Sequence, residues 1–360
     1  MRYHAAMHVL LVKRDAGVAG DTTYLLMLAE GLLGRGHRVT FAAGPGRMAP
    51  RFRAAGASVW TLPPQPLATP LLKRWSRRAG VDAVATAGRG SLRFAAYATA
   101  DLLGVPCVAT LQDHIEEGQP IDELERCDAV VAVERPIIDR AAALGVPPDK
   151  LSVWPRPVFQ RELGPAPADG FPILWMNRMS GSKAWSAEVL LAAAPQLAEQ
   201  MPDARITLVG GGSRAGKMRA LARQANRSIG RELVRVEGFT SDPLARMAEA
   251  SLVIGGGYTA LESLNNGRPT IAAGFGYQGP ITAGDVPQGY DRHFGDRQPG
   301  GGPFSRVEPQ ELLQTVVGVR DQLADHTPCR AWFPLDHSLD GQAARLETLV
   351  ATLGCCGVAA

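Results

Sequence analysis

The sequence predicts an α/β chain of two doubly wound domains, each a mainly parallel sheet with helices on both faces. Three observations predict it. The chain has 360 residues, more than one compact core usually holds. Short apolar runs alternate with stretches of helical period, the pattern of βα units feeding a parallel sheet. A Pro-rich stretch interrupts that alternation once, and the pattern then starts again. Hydrophobic residues make up 46% of the chain, enough for two cores, and charged residues 20%, near the globular norm.

The elements follow in order. Residues 7–13 form an apolar-rich run, typical of a strand buried on both faces. A loop over 14–21 carries Gly17 and Gly20, and a helix over 22–33 stops at Gly34 and Gly36. Strands are expected over 37–43, 58–62, 81–87, 105–111 and 128–133. Helices are expected up to about Ala55, over 91–103 and over 136–144. Between Trp154 and Pro172 five prolines (155, 157, 165, 167 and 172) favour extended backbone and mark an interdomain linker. Strands then recur over 172–176, 205–209, 233–237, 251–254 and 269–273. The intervening helices cover 187–200 and 214–226, a short one begins near Ser241, and another ends at Asn266. Residues 275–304 are rich in Gly and Pro and read as an irregular loop, and helices over 309–323 and 339–353 finish the chain. The expected division is 1–158, a linker over 159–171, a second domain over 172–335, and a C-terminal helix and tail over 336–360. Facing strand ends would leave a cleft, and open α/β sheets bind ligands at that edge.

Composition excludes several functions. A net charge of +3 is small for this length and does not call for nucleic acid. The five cysteines form no CxxC and no Cys/His set with metal-ligand spacing, so no metal site is expected. Their odd number suits a reducing, cytoplasmic setting. The first apolar run is too short for a signal peptide, and no stretch reaches the roughly eighteen apolar residues of a membrane span. Peripheral contact with a lipid surface stays compatible with the sequence.

Three glycine-bearing turns between strand and helix stand out: Gly17–Gly20, Gly210–Gly211–Gly212 and Gly255–Gly256–Gly257. Each offers backbone N–H groups at a helix start, where the dipole favours an anion. Together they point to a phosphate-bearing ligand. Residues 211–218 nearly spell a P-loop, but Met218 stands where that loop needs Ser or Thr for Mg²⁺, which rejects an ATPase or GTPase.

Longer motifs carry a family resemblance. Asn177-Arg178-Met179-Ser180-Gly181-Ser182-Lys183 resembles the G-R-L-x-x-x-K-G segment of GT-B glycosyltransferases, the large group of retaining sucrose-synthase-like and mannosyltransferase-like enzymes of glycosyltransferase family 4. Ile206–Gly212 resembles their L-x-I-V-G-x-G strand and turn, and Val236-Glu237-Gly238-Phe239 a segment near the nucleotide base. Gly257-Tyr258-Thr259-Ala260-Leu261-Glu262, running on to Gly267-Arg268-Pro269, resembles G-x-x-x-L-E-A-M-A-x-G-x-P. Leu28–Thr40, with Arg35-Gly36-His37, looks like the N-terminal L-A-x-x-L-x-x-R-G-H-x-V-T.

The resemblance implies the GT-B fold, two Rossmann-like domains facing across a cleft, with the helix over 336–360 packing back on the first domain. It implies a donor diphosphate gripped by Arg178 and Lys183, with a guanidinium fork and an ammonium suited to adjacent phosphates. It gives Glu262 the ribose hydroxyls, since a carboxylate accepts two hydrogen bonds at once. Gly17, Gly211, Gly256, Gly257, Tyr258 and Thr259 would complete the donor site. Two departures stand against the pattern. Ile254 occupies the place of a Glu that contacts the donor sugar, and Gln112 that of a His near the reaction centre, leaving Asp113 and His114 as the catalytic candidates.

The expected function is transfer of a sugar from a nucleoside-diphosphate sugar to an acceptor that the sequence does not identify. No metal is required, since cations and helix starts would stabilise the leaving group. A nucleotide-sugar epimerase or hydrolase, or a catalytically silent binding homologue, are the alternatives.

Overall fold

The computed structural model describes residues 6–88, 91–112, 115, 122–298, 302–333 and 335–356. The chain divides into two compact units, one of residues 1–158 with 335–360, the other of 159–334.

The first unit alternates β1 (His8–Asp15), α1 (Gly20–Gly34), β2 (Arg38–Gly44), α2 (Ala49–Ala54), β3 (Ser58–Thr61), α3 (Ala68–Ala79), β4 (Ala83–Ala87), α4 (Ser91–Leu103), β5 (Cys107–Leu111), α5 (Asp122–Glu125), β6 (Ala129–Ala132), α6 (Arg135–Ala143) and β7 (Leu151–Val153). Its seven strands pair in the order β3-β2-β1-β4-β5-β6-β7, all parallel. The chain reverses its direction of strand addition between β1 and β4. Strand β1 is buried along residues 8–13: Val9–Val12 form its apolar run, and the buried polar ends are paired, His8 with Thr40 and Lys13 with Asp21. Helix α3 is absent from the sequence reading. Prolines at 63, 64, 66 and 70 obscure its period.

The second unit continues with β8 (Phe171–Met176), α7 (Trp185–Gln200), β9 (Ala204–Val209), α8 (Ala215–Ile229), β10 (Val234–Val236), α9 (Pro243–Ala248), β11 (Leu252–Gly255), α10 (Tyr258–Asn265), β12 (Thr270–Ala273), β13 (Tyr277–Pro280), α11 (Val286–Asp291), α12 (Pro309–Asp321) and α13 (Leu323–His326). The sheet order is β10-β9-β8-β11-β12-β13, parallel except for β13, which runs antiparallel to β12. The switch of direction falls between β8 and β11. Strand β13 and helix α11 correct the expectation of an irregular loop over 275–304.

The segment after Val158 is fastened to the second unit. Arg268, 3% exposed, donates to the carbonyls of Leu163, Gly164 and Pro165, and to those of Met247 and Ala248. Burial holds its guanidinium below the ordinary pKa. Asn266 adds a bond to the Phe159 carbonyl at 2.8 Å and accepts from the Arg161 amide at 2.6 Å. Buried carbonyls need donors, and prolines supply none.

The final helix, α14 (Leu339–Cys356), packs on α1 within the first unit. Gly31 makes that approach possible, because a methyl group there would overlap the Leu339 carbonyl. Ala343, Leu346 and Val350 are buried along its length. Arg35 and His37 both reach Glu347, and Arg35 also pairs with Asp340 at 2.8 Å. The Arg-Gly-His turn after α1 is thereby the clasp of the C-terminal helix. Among the described residues no helix is long and apolar enough to cross a membrane.

Candidate donor site

The carboxyl ends of β8, β9, β11 and β12 bring most of the expected donor residues of the second unit to one sheet edge. Arg178 follows β8 and is exposed, with its amide bonded to Asn177 Oδ1 at 3.0 Å. The loop that carries it is held by glycines. A methyl group at Gly210 would overlap the Asn177 carbonyl, and one at Gly212 the Met179 carbonyl. The Met179 amide donates to the Gly211 carbonyl at 2.9 Å, and the Arg214 amide to the Met179 carbonyl at 2.8 Å. The triple glycine thus lets two loops touch backbone to backbone, so its first role is to fix Arg178. Beside it Phe239 is 51% exposed, with its Cβ within 3.9 Å of where a Gly211 side chain would begin.

Lys183 lies in a short 3₁₀ turn, Gly181–Ala184. Its ammonium is 2.5 Å from Asp296 Oδ2 and 4.7 Å from the centre of the Phe275 ring. Both charged side chains are largely enclosed, at 12% and 13% exposure. Trp185 Nε1 donates to the Gly274 carbonyl at 2.9 Å and ties this turn to the end of β12.

The Gly255–Gly257 turn leads into α10. Gly257 has φ +56°, a left-handed conformation suited to glycine. A methyl group on Gly256 would strike the Gly274 backbone, and one on Gly257 the Asp296 carboxylate. The Gly257 amide, expected to face a phosphate, points instead to the Phe294 carbonyl at 3.4 Å. Tyr258 and Thr259 are half-buried, and the Tyr258 ring meets His293 edge to face at 6.2 Å. Glu262 is only 6% exposed, so it is not a solvated helix-surface acid. It lies in the second turn of α10, and its carbonyl accepts from Asn266 Nδ2 at 2.7 Å.

The first unit places fewer of the candidates. Gly17 follows β1, and its amide donates to Asp15 Oδ1 at 3.0 Å, so a side chain of the unit already occupies it. Buried Lys13 pairs with Asp21, in the first turn of α1, at 3.3 Å. Gln112, at the end of β5, is 6% exposed and accepts from Arg156 through its Oε1 and its carbonyl. Arg156 also holds Glu134 at 3.1 Å. Asp113 and His114 lie outside the described residues. Among the described residues no three His, Cys, Asp or Glu side chains converge as a metal-binding set.

Sequence reasoning missed Asp296 and the Arg156 clasp, because both partners come together only in the fold. Gly257, Gly274 and the Gly295-Asp296 pair were the available signal, since a methyl group at Gly257 or Gly274 would overlap the Asp296 carboxylate.

Residues 18–159 match the model of Glycosyltransferase Family 4. No curated protein matches the chain. Solved structures share its fold over nearly the whole length. A glycosyltransferase from Rickettsia africae aligns at TM-score 0.64 and 16% identity, over 97% of this chain and 94% of that one. Anabaena HepE, solved with UDP and glucose, aligns at 0.63 and 17%, over 97% of both chains. Acinetobacter baumannii MurG aligns at 0.56 and 18%, over 96% of this chain and 99% of that one.

Proposed function

We propose that the chain, whose residues 18–159 match the Glycosyltransferase Family 4 model and which has the GT-B fold along its length, is an enzyme that moves a sugar from a nucleoside-diphosphate sugar to an acceptor without a metal ion. The observation that carries this reading is the gathering of Arg178, Lys183, the Gly255–Gly257 turn and Glu262 at one sheet edge of the second unit. HepE, of the same fold, was solved with UDP-glucose, which favours a nucleotide sugar as the donor class.

In this reading Arg178 is the exposed half of the diphosphate grip, held in place through its loop's backbone. Its planar guanidinium can fork two phosphate oxygens. Lys183 is the enclosed half. As the sugar–phosphate bond breaks, negative charge grows on the leaving diphosphate. Preplaced cations stabilise that charge without a metal. Glu262 takes the ribose hydroxyls, and exposed Phe239 offers a face on which a base can stack.

The test is a thermal-shift screen against UDP, GDP, ADP, dTDP and CMP, followed by incubation with the matching nucleotide sugars. A ligand that binds only the folded state adds about 2.7 kcal/mol of stability at a hundred times its Kd and so raises the melting temperature. One nucleoside diphosphate is expected to stand out. Mass spectrometry should then find a sugar on an added acceptor. An isomerised nucleotide sugar with no acceptor product would favour the epimerase reading, and no shift at millimolar nucleotide would remove the donor site.

A further inference from the structure

The Lys183–Asp296 pair is built differently from a permanent structural ion pair. Asp296 uses one oxygen for Lys183, at 2.5 Å, while its Oδ1 is buried with no hydrogen-bond partner among the described residues. A carboxylate has four acceptor sites, and a buried one left half-used is poorly stabilised. The backbone that presents it is strained. His293 (φ +43°), Phe294 (φ +48°) and Gly295 (φ +85°) form three successive left-handed residues, two of which carry a side chain. Such strain persists where the surroundings enforce it, and it concentrates at working sites. Here Phe294 is buried and its ring fills the space above Gly289. Glycines 257 and 274 clear room for the carboxylate, because a methyl group at either would overlap it. The turn therefore aims one carboxylate at one ammonium.

We propose that Asp296 is an internal counter-anion that competes with the donor diphosphate for Lys183, so that donor binding breaks the Lys183–Asp296 pair. The inference rests on the donor-site reading above, in which Lys183 is a diphosphate ligand. Its physical basis is that one enclosed ammonium cannot serve two anions equally. A phosphate oxygen brought to Lys183 would lie within a few ångströms of the carboxylate, and like charges at that distance repel strongly in a partly desolvated site. Diphosphate binding must therefore displace Asp296 or be weakened by it. The same competition favours release of the nucleoside diphosphate after transfer. Asp296 acts as an affinity-setting residue.

The test measures binding of inorganic pyrophosphate, which carries the diphosphate without a base, by titration calorimetry. Asp296→Asn keeps the shape and removes the charge, and it should bind pyrophosphate about tenfold more tightly than the wild type. Lys183→Ala added to that variant should lose the gain. Equal or weaker binding by Asp296→Asn overturns the proposal. The wild type gives a second readout that does not depend on the variant's folding. Hydrogen exchange of residues 289–297 should quicken when pyrophosphate is added, because the turn is released. Slower exchange there overturns the proposal equally. The donor-site reading fails separately, if the nucleotide panel finds no ligand or if binding ignores Arg178.

Discussion

Arg178→Ala is expected to weaken nucleoside-diphosphate binding by roughly ten- to a hundredfold, the scale of one or two charge-assisted hydrogen bonds. The melting temperature measured without nucleotide should change by no more than about 1 °C, since exposed substitutions away from caps and networks stay near ±0.5 kcal/mol. The separation of the two effects follows from placement. Arg178 is exposed, and its side chain has no ion pair or hydrogen bond among the described residues. Its loop is held by Asn177, Met179 and the glycines of the next turn through backbone contacts that alanine leaves intact. Glu262→Gln makes the contrast. Glu262 is buried in α10, so its replacement should cost both stability and binding. Calorimetric titration of both variants with the nucleotide found in the screen decides the matter. Unchanged affinity in Arg178→Ala would put the diphosphate elsewhere.

Much of this site could be read from the chain, and the reasons differ residue by residue. The βα rhythm is local, so β8, β9, β11 and β12 and the loops at their ends are visible as apolar runs, the last three closed by glycines. That is enough to bring Arg178, Lys183 and Glu262 to one edge. What a glycine does is not local. Gly210 and Gly212 read as phosphate-binding amides, yet each is glycine because another loop's carbonyl lies against it. Gly17 has an Asp15 carboxylate on its amide, and Gly257 the Phe294 carbonyl nearby. A glycine-rich turn therefore reports close approach, and only the fold says whether backbone or ligand approaches. Asp296 lay hidden for the same reason, since its partner is 113 residues away in the chain. Strand β13 escaped because Tyr277-Gln278-Gly279-Pro280 has neither alternation nor β-branched residues, and only pairing with β12 makes it a strand.

The largest effect on stability is expected at the clasp of the C-terminal helix. Glu347→Gln should lower stability by about 2–3 kcal/mol and the melting temperature by roughly 5–10 °C. Glu347 is 6% exposed and carries three contacts at once. Arg35 grips it through Nε at 2.5 Å and Nη2 at 2.8 Å, and His37 Nε2 meets Oε1 at 2.5 Å. The imidazole tautomer is fixed by its other nitrogen. His37 Nδ1 accepts the Met7 amide at 3.1 Å, so Nε2 carries the proton and donates it to the carboxylate. The Arg35 bonds foremost, helped by His37 and opposed by burial, lower the Glu347 pKa from 4.5 to about 2. A depressed carboxylate stabilises the fold fully above its unfolded value, and that stability drains away as pH falls toward the folded value. The difference in melting temperature between wild type and Glu347→Gln should thus be constant near neutral pH. It should shrink below pH 4.5 and vanish near pH 2, the two ends of the Glu347 shift. Calorimetric scans across that range test it. A difference that persists unchanged at the acid end would mean that the carboxylate's charge is not what holds α14. The consequence reaches past stability, because Arg35-Gly36-His37 closes the helix that packs on Gly31. A motif that resembles a family signature in sequence is here the fastening of the last helix to the first.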